Sequence, residues 1–233
     1  MFLLSIDSSD GYSNILITDE KLNKISESVS DFHERHSVLI FKQLDEMMKE
    51  SGVKFSDFTG IAVILGPGSY TGTRVSLTIA KTLSSVLEIY VAGVGSLFLC
   101  AYYLNKNAGN SKNIVAVKNS TKGHYYVSDF LFEEPGFILS GMSGIKTNLL
   151  NMNELKLFLG GKKNNFSLVY GYNKENDREK FKSEFESINP PSFFELRRIN
   201  YYASMYILEN NLNYDLKYAE EVSPYYVYGN GPF

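Results

Sequence analysis

A single cysteine, Cys100, stands in a chain of 233 residues. It cannot close an internal disulfide, and it fits a reducing compartment as a small buried apolar side chain. Histidines are nearly as scarce: His33, His36 and His124. His33 and His36 are three apart and can share a helical face, but no third ligand stands at a matching interval, so no metal site is expected. Neither a Cys/His motif nor a Gly-x-Ser-x-Gly elbow is present, which removes the sequence basis for acyl transfer. Lys and Arg number 23 against 26 Asp and Glu. With that balance, any nucleic-acid contact must be local or supplied by a partner. Long apolar runs are missing too. Residues 84–104 come nearest, but Glu88, Gly93 and Gly95 interrupt them and they parse as helix end, strand and new helix. The opening Met1-Phe-Leu-Leu-Ser-Ile-Asp7 has no basic segment and reads as a first strand rather than a signal peptide. A soluble, cytoplasmic protein without membrane contact is the expectation. No fixed-period repeat or low-complexity segment appears.

What is present centres on residues 61–87. Ile61 to Leu65 is a continuous apolar run, β-branched at three of five positions, suited to a strand buried on both faces. Gly66, Pro67, Gly68 and Gly72 break it, and Ser69, Thr71 and Thr73 supply hydroxyls to cap a helix beginning near Gly72. A glycine turn feeding a helix N-terminus can bind phosphate. Here the spacing of Gly66 and Gly72, followed by Thr73 and Arg74, is not that of a P-loop, and a plain strand-to-helix connection is the alternative. Along the helix, Val75, Ile79, Leu83, Val86 and Leu87 form an apolar stripe, while Ser76, Ala80, Ser84 and Ser85 form a face of small residues. Two uncharged faces call for two partners: the chain's own sheet, and a helix of this chain or of another protein.

Taken in order, residues 2–6, 13–18 and 24–30 read as three strands of a hairpin meander. A helix over 34–50 follows, with Val38, Ile40, Phe41, Leu44, Met47 and Met48 at helical spacing and Ser51-Gly52 as its stop. With the central strand and helix this makes a βββαβα half. That order matches one half of the actin, sugar kinase and heat-shock ATPase superfamily (the RNase H-like fold), where two such halves face each other. Asp7-Ser8-Ser9 then resembles its first phosphate loop, although Asp-Ser-Ser-Asp-Gly is also an ordinary turn. The expected division is a first half over 1–105, with its two helices available for dimerisation, and a smaller, degenerate second half over 106–233. Beyond residue 88, strands are read at 89–94, 114–117, 124–132 and 167–170, and helices at 96–105, 152–159 and 197–211. Residues 177–187 are charged and Asn189-Pro-Pro191 is a break.

Gly66-Pro-Gly-Ser-Tyr-Thr-Gly-Thr-Arg74, with Ala80-Lys81 in the next helix, resembles the signature of the bacterial TsaB family, also called YeaZ. The likeness extends through Asp7-Ser8-Ser9, Arg35-His36-Ser37, Ile61-Ala62-Val63 and Gly93-Val-Gly-Ser-Leu97, and thinly to Pro224-Tyr225-Tyr226-Val227. Thr73, the segment 118–124 and Tyr228 depart from the family pattern, so no family role is carried over to residues 118–124. The resemblance implies a non-catalytic subunit of the machinery that makes N6-threonylcarbamoyladenosine beside the anticodon of tRNAs reading ANN codons. It would pair with a TsaD-like catalytic subunit, joined by a TsaE-like ATPase, and touch tRNA only through the complex. Alone it could form a homodimer. On this reading the isolated chain needs no cofactor and has no catalytic residue, with ATP or ADP at a partner interface left open. Leu39 and Phe41 of the first helix, with Ser76, Ala80 and Ser84 of the second, are the expected partner surface. The alternatives are a nucleotide-hydrolysing enzyme of the same superfamily and a metallopeptidase-like protein. Residues 119–123 supply no acid for the former, and the histidine count undercuts the latter.

Overall fold

The computed structural model describes residues 1–31, 36–108, 113–132, 146–162, 166–187 and 189–209. Along the chain come β1 (Phe2–Asp7), β2 (Tyr12–Asp19), β3 (Lys24–Asp31), α1 (His36–Ser51), β4 (Phe58–Ile64), α2 (Tyr70–Leu87), β5 (Tyr90–Val94) and α3 (Ser96–Asn107). Then follow β6 (Asn113–Asn119), β7 (His124–Leu131), β8 (Thr147–Asn151), α4 (Met152–Gly160), β9 (Ser167–Tyr172), α5 (Glu175–Phe185), β10 (Ser192–Glu195) and α6 (Ile199–Glu209). Each half therefore runs βββαβαβα. The two sheets have the orders β3-β2-β1-β4-β5 and β8-β7-β6-β9-β10, which are identical position for position. The second half is thus more regular than its sequence suggested. Its weak signals have a physical cause: β10 is four residues long, β8 is half-buried throughout, and the charged α5 buries just Phe181 and Phe185.

The chain forms two compact units, one built on Met1–Ser96 and the stretch from Arg197, the other on Leu97–Leu196. This differs from a divide at 105/106 in two places. α3 from Leu97 onward belongs with the second unit, and α6 returns to the first. In the second unit, the Tyr103 ring lies 4.9 Å from Phe194, and Cys100 Sγ stands so close to Gly171 that a Cβ there would meet it at 2.9 Å. Tyr170 stacks on Phe181 at 4.0 Å in the core below α4 and α5. In the first unit α6 lies on β1, β2 and β4, joined by Ser5 Oγ to Ser204 Oγ at 2.6 Å. Such helix–sheet matches link residues nearly two hundred positions apart, beyond the reach of local periodicity.

Within the first unit β1 pairs antiparallel with β2 and parallel with β4, setting Leu4 beside Ile61 and Ile6 beside Val63. Residues 61–65 are all buried, as a strand covered on both faces requires. α1 turns Ile40, Gln43, Leu44 and Met47 inward and leaves Val38 and Phe41 outside. Gln43 accepts from Ser13 Oγ and donates to Ser28 Oγ, tying the helix to β2 and β3. α2 is seated differently from its apolar pattern. Its buried residues are Gly72, Thr73, Ser76, Leu77, Ile79, Ala80 and Ser84, whereas Val86 is 73% exposed. Small side chains let this helix lie close against β4, β1, β5 and α1, and closeness rather than apolarity selects the inner face. Among the described residues no helix is long and apolar enough to cross a membrane.

Candidate functional site

Two turns meet at the carboxyl ends of β1 and β4. Asp7 Oδ1 accepts from the Ser9 N–H at 2.9 Å, so the β1–β2 turn is an Asx-type turn closed by its own carboxylate. After β4 the chain passes through Gly66, whose φ of +91° only glycine adopts readily, and through the cis Gly66–Pro67 bond. The Ser96 N–H donates to Gly66 O at 2.7 Å and the Ser96 hydroxyl to Pro67 O at 3.2 Å, holding the back of the turn. α2 starts at Tyr70, two residues before Gly72, with Ser69 as its N-cap accepting from the Gly72 N–H. Thr73 Oγ1 donates to Ser69 O at 2.8 Å, and Thr71 is exposed.

The front of the turn is filled by the protein itself. Ser69 N–H donates to Ser9 O at 2.6 Å, and Ser8 Oγ donates to Gly72 O at 2.6 Å. A Cβ added at Gly68 would meet Ser9 O at 2.4 Å, and one at Gly72 would meet Ser8 O at 1.7 Å. The two glycines therefore permit the approach of another turn of the same chain. Asp7, Ser8 and Ser9 are brought to the glycine turn as the sequence implied, but all three are buried. The Ser8 hydroxyl and the Ser69 N–H, groups that would face a phosphate, are spent on this contact. Beside it the Tyr12 phenol is held well above its ordinary range by burial, then by the Asp7 and Asp10 carboxylates, with Arg197 opposing. Arg197 lies over the Tyr12 ring at 5.3 Å and bonds Asp31. In the second unit the corresponding hairpin turn closes through Ser120 N–H to His124 O, with Lys122 and Gly123 at positive φ. Lys118, just before it, is fully buried.

The expected partner surface needs correcting. Ser76, Ala80 and Ser84 have no exposed area, since they form the face of α2 that packs inward; Ser84 Oγ donates to Ile89 O and Ser76 Oγ to carbonyls of its own first turn. Leu39 is half-buried and Phe41 is 49% exposed. The outward surface of this helix pair is thus made by Val38 and Phe41 of α1, with Thr78, Thr82 and Val86 of α2. A groove of about 470 Å³ that periodicity did not reveal runs past the end of α1, lined by Phe41, Leu44, Met48, Val53 and Phe55 among others. Among the described residues no three His, Cys, Asp or Glu side chains gather as a metal cluster. His33, Arg35, residues 224–227 and Tyr228 lie outside the described residues, as do the side chains of His36 and Ser37.

Comparison with known proteins adds the following. The family model described as TsaD, tRNA N6-adenosine threonylcarbamoyltransferase, matches residues 30–133. The tRNA threonylcarbamoyladenosine biosynthesis protein TsaB of Bacillus subtilis (strain 168) is 34% identical over 97 residues, 42% of this chain and 42% of that protein. The TsaB of Buchnera aphidicola subsp. Schizaphis graminum is 26% identical over 130 residues, 55% of this chain and 60% of its own length. The chain spans about half the length of the curated relatives it matches. Among solved structures, YeaZ from Pseudomonas aeruginosa superposes with a TM-score of 0.65 at 15% identity, over 97% of this chain and 99% of that one. The activator of the 2-hydroxyisocaproyl-CoA dehydratase from Clostridium difficile, solved with bound ADPNP, gives 0.50 at 10% identity over 97% and 100%. These likenesses establish the fold: α/β, in two halves, of the actin and sugar kinase type.

Proposed function

We propose that the chain is a member of the TsaB (YeaZ) family and, on that premise, a non-catalytic subunit of the machinery forming N6-threonylcarbamoyladenosine in tRNA. The observation that carries the reading is the name shared by its curated relatives, a biosynthesis protein for this modified nucleoside. Its partner is a TsaD-like catalytic subunit, joined by a TsaE-like ATPase, and tRNA is engaged through that assembly. The chain needs no cofactor of its own, and any ATP or ADP would be held at the partner interface. In support, the turn that resembles a phosphate loop is occupied by contacts within the chain, Ser8 Oγ to Gly72 O and Ser69 N–H to Ser9 O.

The docking surface on this reading is the outward side of the α1 and α2 pair, with Val38 and Phe41 at its centre and two helices of the partner completing a four-helix arrangement. Val38 is 54% exposed, so an apolar contact there removes area that water now covers. Co-purification with the TsaD-like protein of the same organism tests the proposal, together with mass spectrometry of tRNA nucleosides in a depletion strain. Phe41→Asp should leave the circular dichroism spectrum unchanged while abolishing co-elution and the modified nucleoside. A Phe41→Asp protein that is folded and still co-elutes would move the interface elsewhere. Full modification in cells lacking this chain would remove the function itself.

A further inference from the structure

The groove at the end of α1 is preformed. Gly52, at a φ of +73°, stops the helix and returns its N–H to Met48 O at 3.0 Å. Val53 and Phe55, which follow that stop, join Phe41, Leu44 and Met48 around a hollow of about 470 Å³. Leu44 and Val53 are buried, whereas Phe41 and Phe55 remain 49% and 40% exposed. Phe55 is held in place, since its ring meets the buried Phe58 edge to face at 6.4 Å. Single apolar side chains scattered over a surface need no explanation, but two rings lining one hollow have the form of a pocket for an anchor residue.

The charges at its border narrow the occupant. They are Asp45, Lys49 and Lys54. Lys49 Nζ holds Asp45 Oδ2 at 2.5 Å, which makes that pair neutral. Lys54 gives its backbone N–H to Asp57 Oδ2 at 2.8 Å, while its exposed side chain makes no ion pair among the described residues. One uncompensated cation thus stands beside the apolar hollow. Phe41 is shared with the outward side of the α1 and α2 pair, so the groove is continuous with the surface assigned above to the TsaD-like subunit. Resting on that reading, we propose that the groove takes an anchor from the TsaD-like subunit: a large apolar side chain with a carboxylate beside it that pairs with Lys54. The hollow lies in the size range of preformed ligand pockets and admits an aromatic ring with its neighbouring atoms. Helices laid on Val38 and Phe41 can slide along α1, and an anchor among Phe41, Met48 and Phe55 stops them at one register. The anchor takes both rings out of water, and the carboxylate steers and selects the partner.

The test uses the full chain and the TsaD-like protein of the same organism. With p-benzoylphenylalanine in place of Phe55, irradiation of the complex should join this chain to one TsaD-like peptide that carries an apolar side chain next to Asp or Glu. A cross-link to a second copy of this chain, or to its own residues 210–233, would overturn the proposal. By calorimetry, Phe55→Asp should weaken binding at least about tenfold, and Lys54→Glu about three- to tenfold at low salt, with the second loss shrinking as salt rises. Lys54 is exposed, so Lys54→Glu reports on binding even where Phe55→Asp disturbs the packing on Phe58. Unaltered affinity in both variants would overturn the anchor. Val38, which does not line the groove, separates this proposal from the reading beneath it. If Val38→Asp abolishes binding while Phe55→Asp and Lys54→Glu bind normally, the partner surface stands and the anchor does not. If the unaltered chain fails to bind the TsaD-like protein, both fall.

Discussion

Alanine at Gly72 distinguishes a glycine required by close approach from one that merely ends a strand. Gly72 is the third residue of α2 and has helical geometry, so propensity alone would favour Ala by about 1 kcal/mol. The new Cβ, however, would stand 1.7 Å from Ser8 O and 2.9 Å from Ser8 C. Ser8 must then retreat by more than an ångström, about 1.3 Å even to reach a tight 3.0 Å. It cannot do so independently. Its hydroxyl is bonded to Gly72 O and its neighbour Ser9 O to the Ser69 N–H, both at 2.6 Å. Two hydrogen bonds at about 0.5–1.5 kcal/mol each, and about 1–3 kcal/mol of overpacking, outweigh the helix gain and leave a net loss of about 3 kcal/mol. The chain has no tryptophan, so urea unfolding is followed by circular dichroism. A downward midpoint shift of about 1 M is expected. Gly160→Ala is the control, because its Cβ would meet nothing within 4 Å, and it should be neutral or stabilising by up to about 1 kcal/mol. A Gly72→Ala protein as stable as the wild type would refute the close contact between the two turns and reopen the turn as a binding loop.

Ala80→Arg should destabilise by more than about 4 kcal/mol and deplete soluble protein, because it buries an unpaired cation at a position of 0% exposure; Thr82→Arg, on the outward side of the same helix, should stay within about 0.5 kcal/mol. Normal folding of Ala80→Arg would restore that face as a partner surface. Alkaline pH should weaken the fold. The Tyr12, Tyr90, Tyr125, Tyr170 and Tyr172 phenols are all raised, chiefly by burial, from 10.0. The folded chain keeps these protons after the unfolded chain has lost them, so stability is whole below pH 10.0 and falls beyond it, by at most about 1.4 kcal/mol per pH unit through each of the buried Tyr12 and Tyr170 phenols and by less through Tyr90, Tyr125 and Tyr172, which solvent screens. Tyr170→Phe should flatten that slope without altering stability's pH dependence below it, and an unchanged slope would contradict its burial beneath Phe181.

The βββαβα order of the first half was legible because each element carried its own local signal. A β-branched run without polar residues marked β4, and Asp and Gly clusters marked the hairpin turns. The facing of α2 was not legible. Hydrophobic periodicity assumes that the most apolar stripe turns inward, which holds when side chains set the spacing between layers. Here the spacing is set by what is missing from the side chains: Ser76, Ala80 and Ser84 lie on the buried side, and Val86 is exposed. The same logic governs Gly68 and Gly72. Their motif reads as a phosphate loop because glycines leave backbone N–H groups accessible, but accessibility is decided by what lies opposite, and that is Ser8 and Ser9, some sixty residues earlier. The return of α6 to the first sheet was hidden for a related reason, since its matching groups are single Asn and Ser side chains with no period of their own. Small and polar residues in this chain thus specify close approach between remote segments, and that information exists only once both segments are in place.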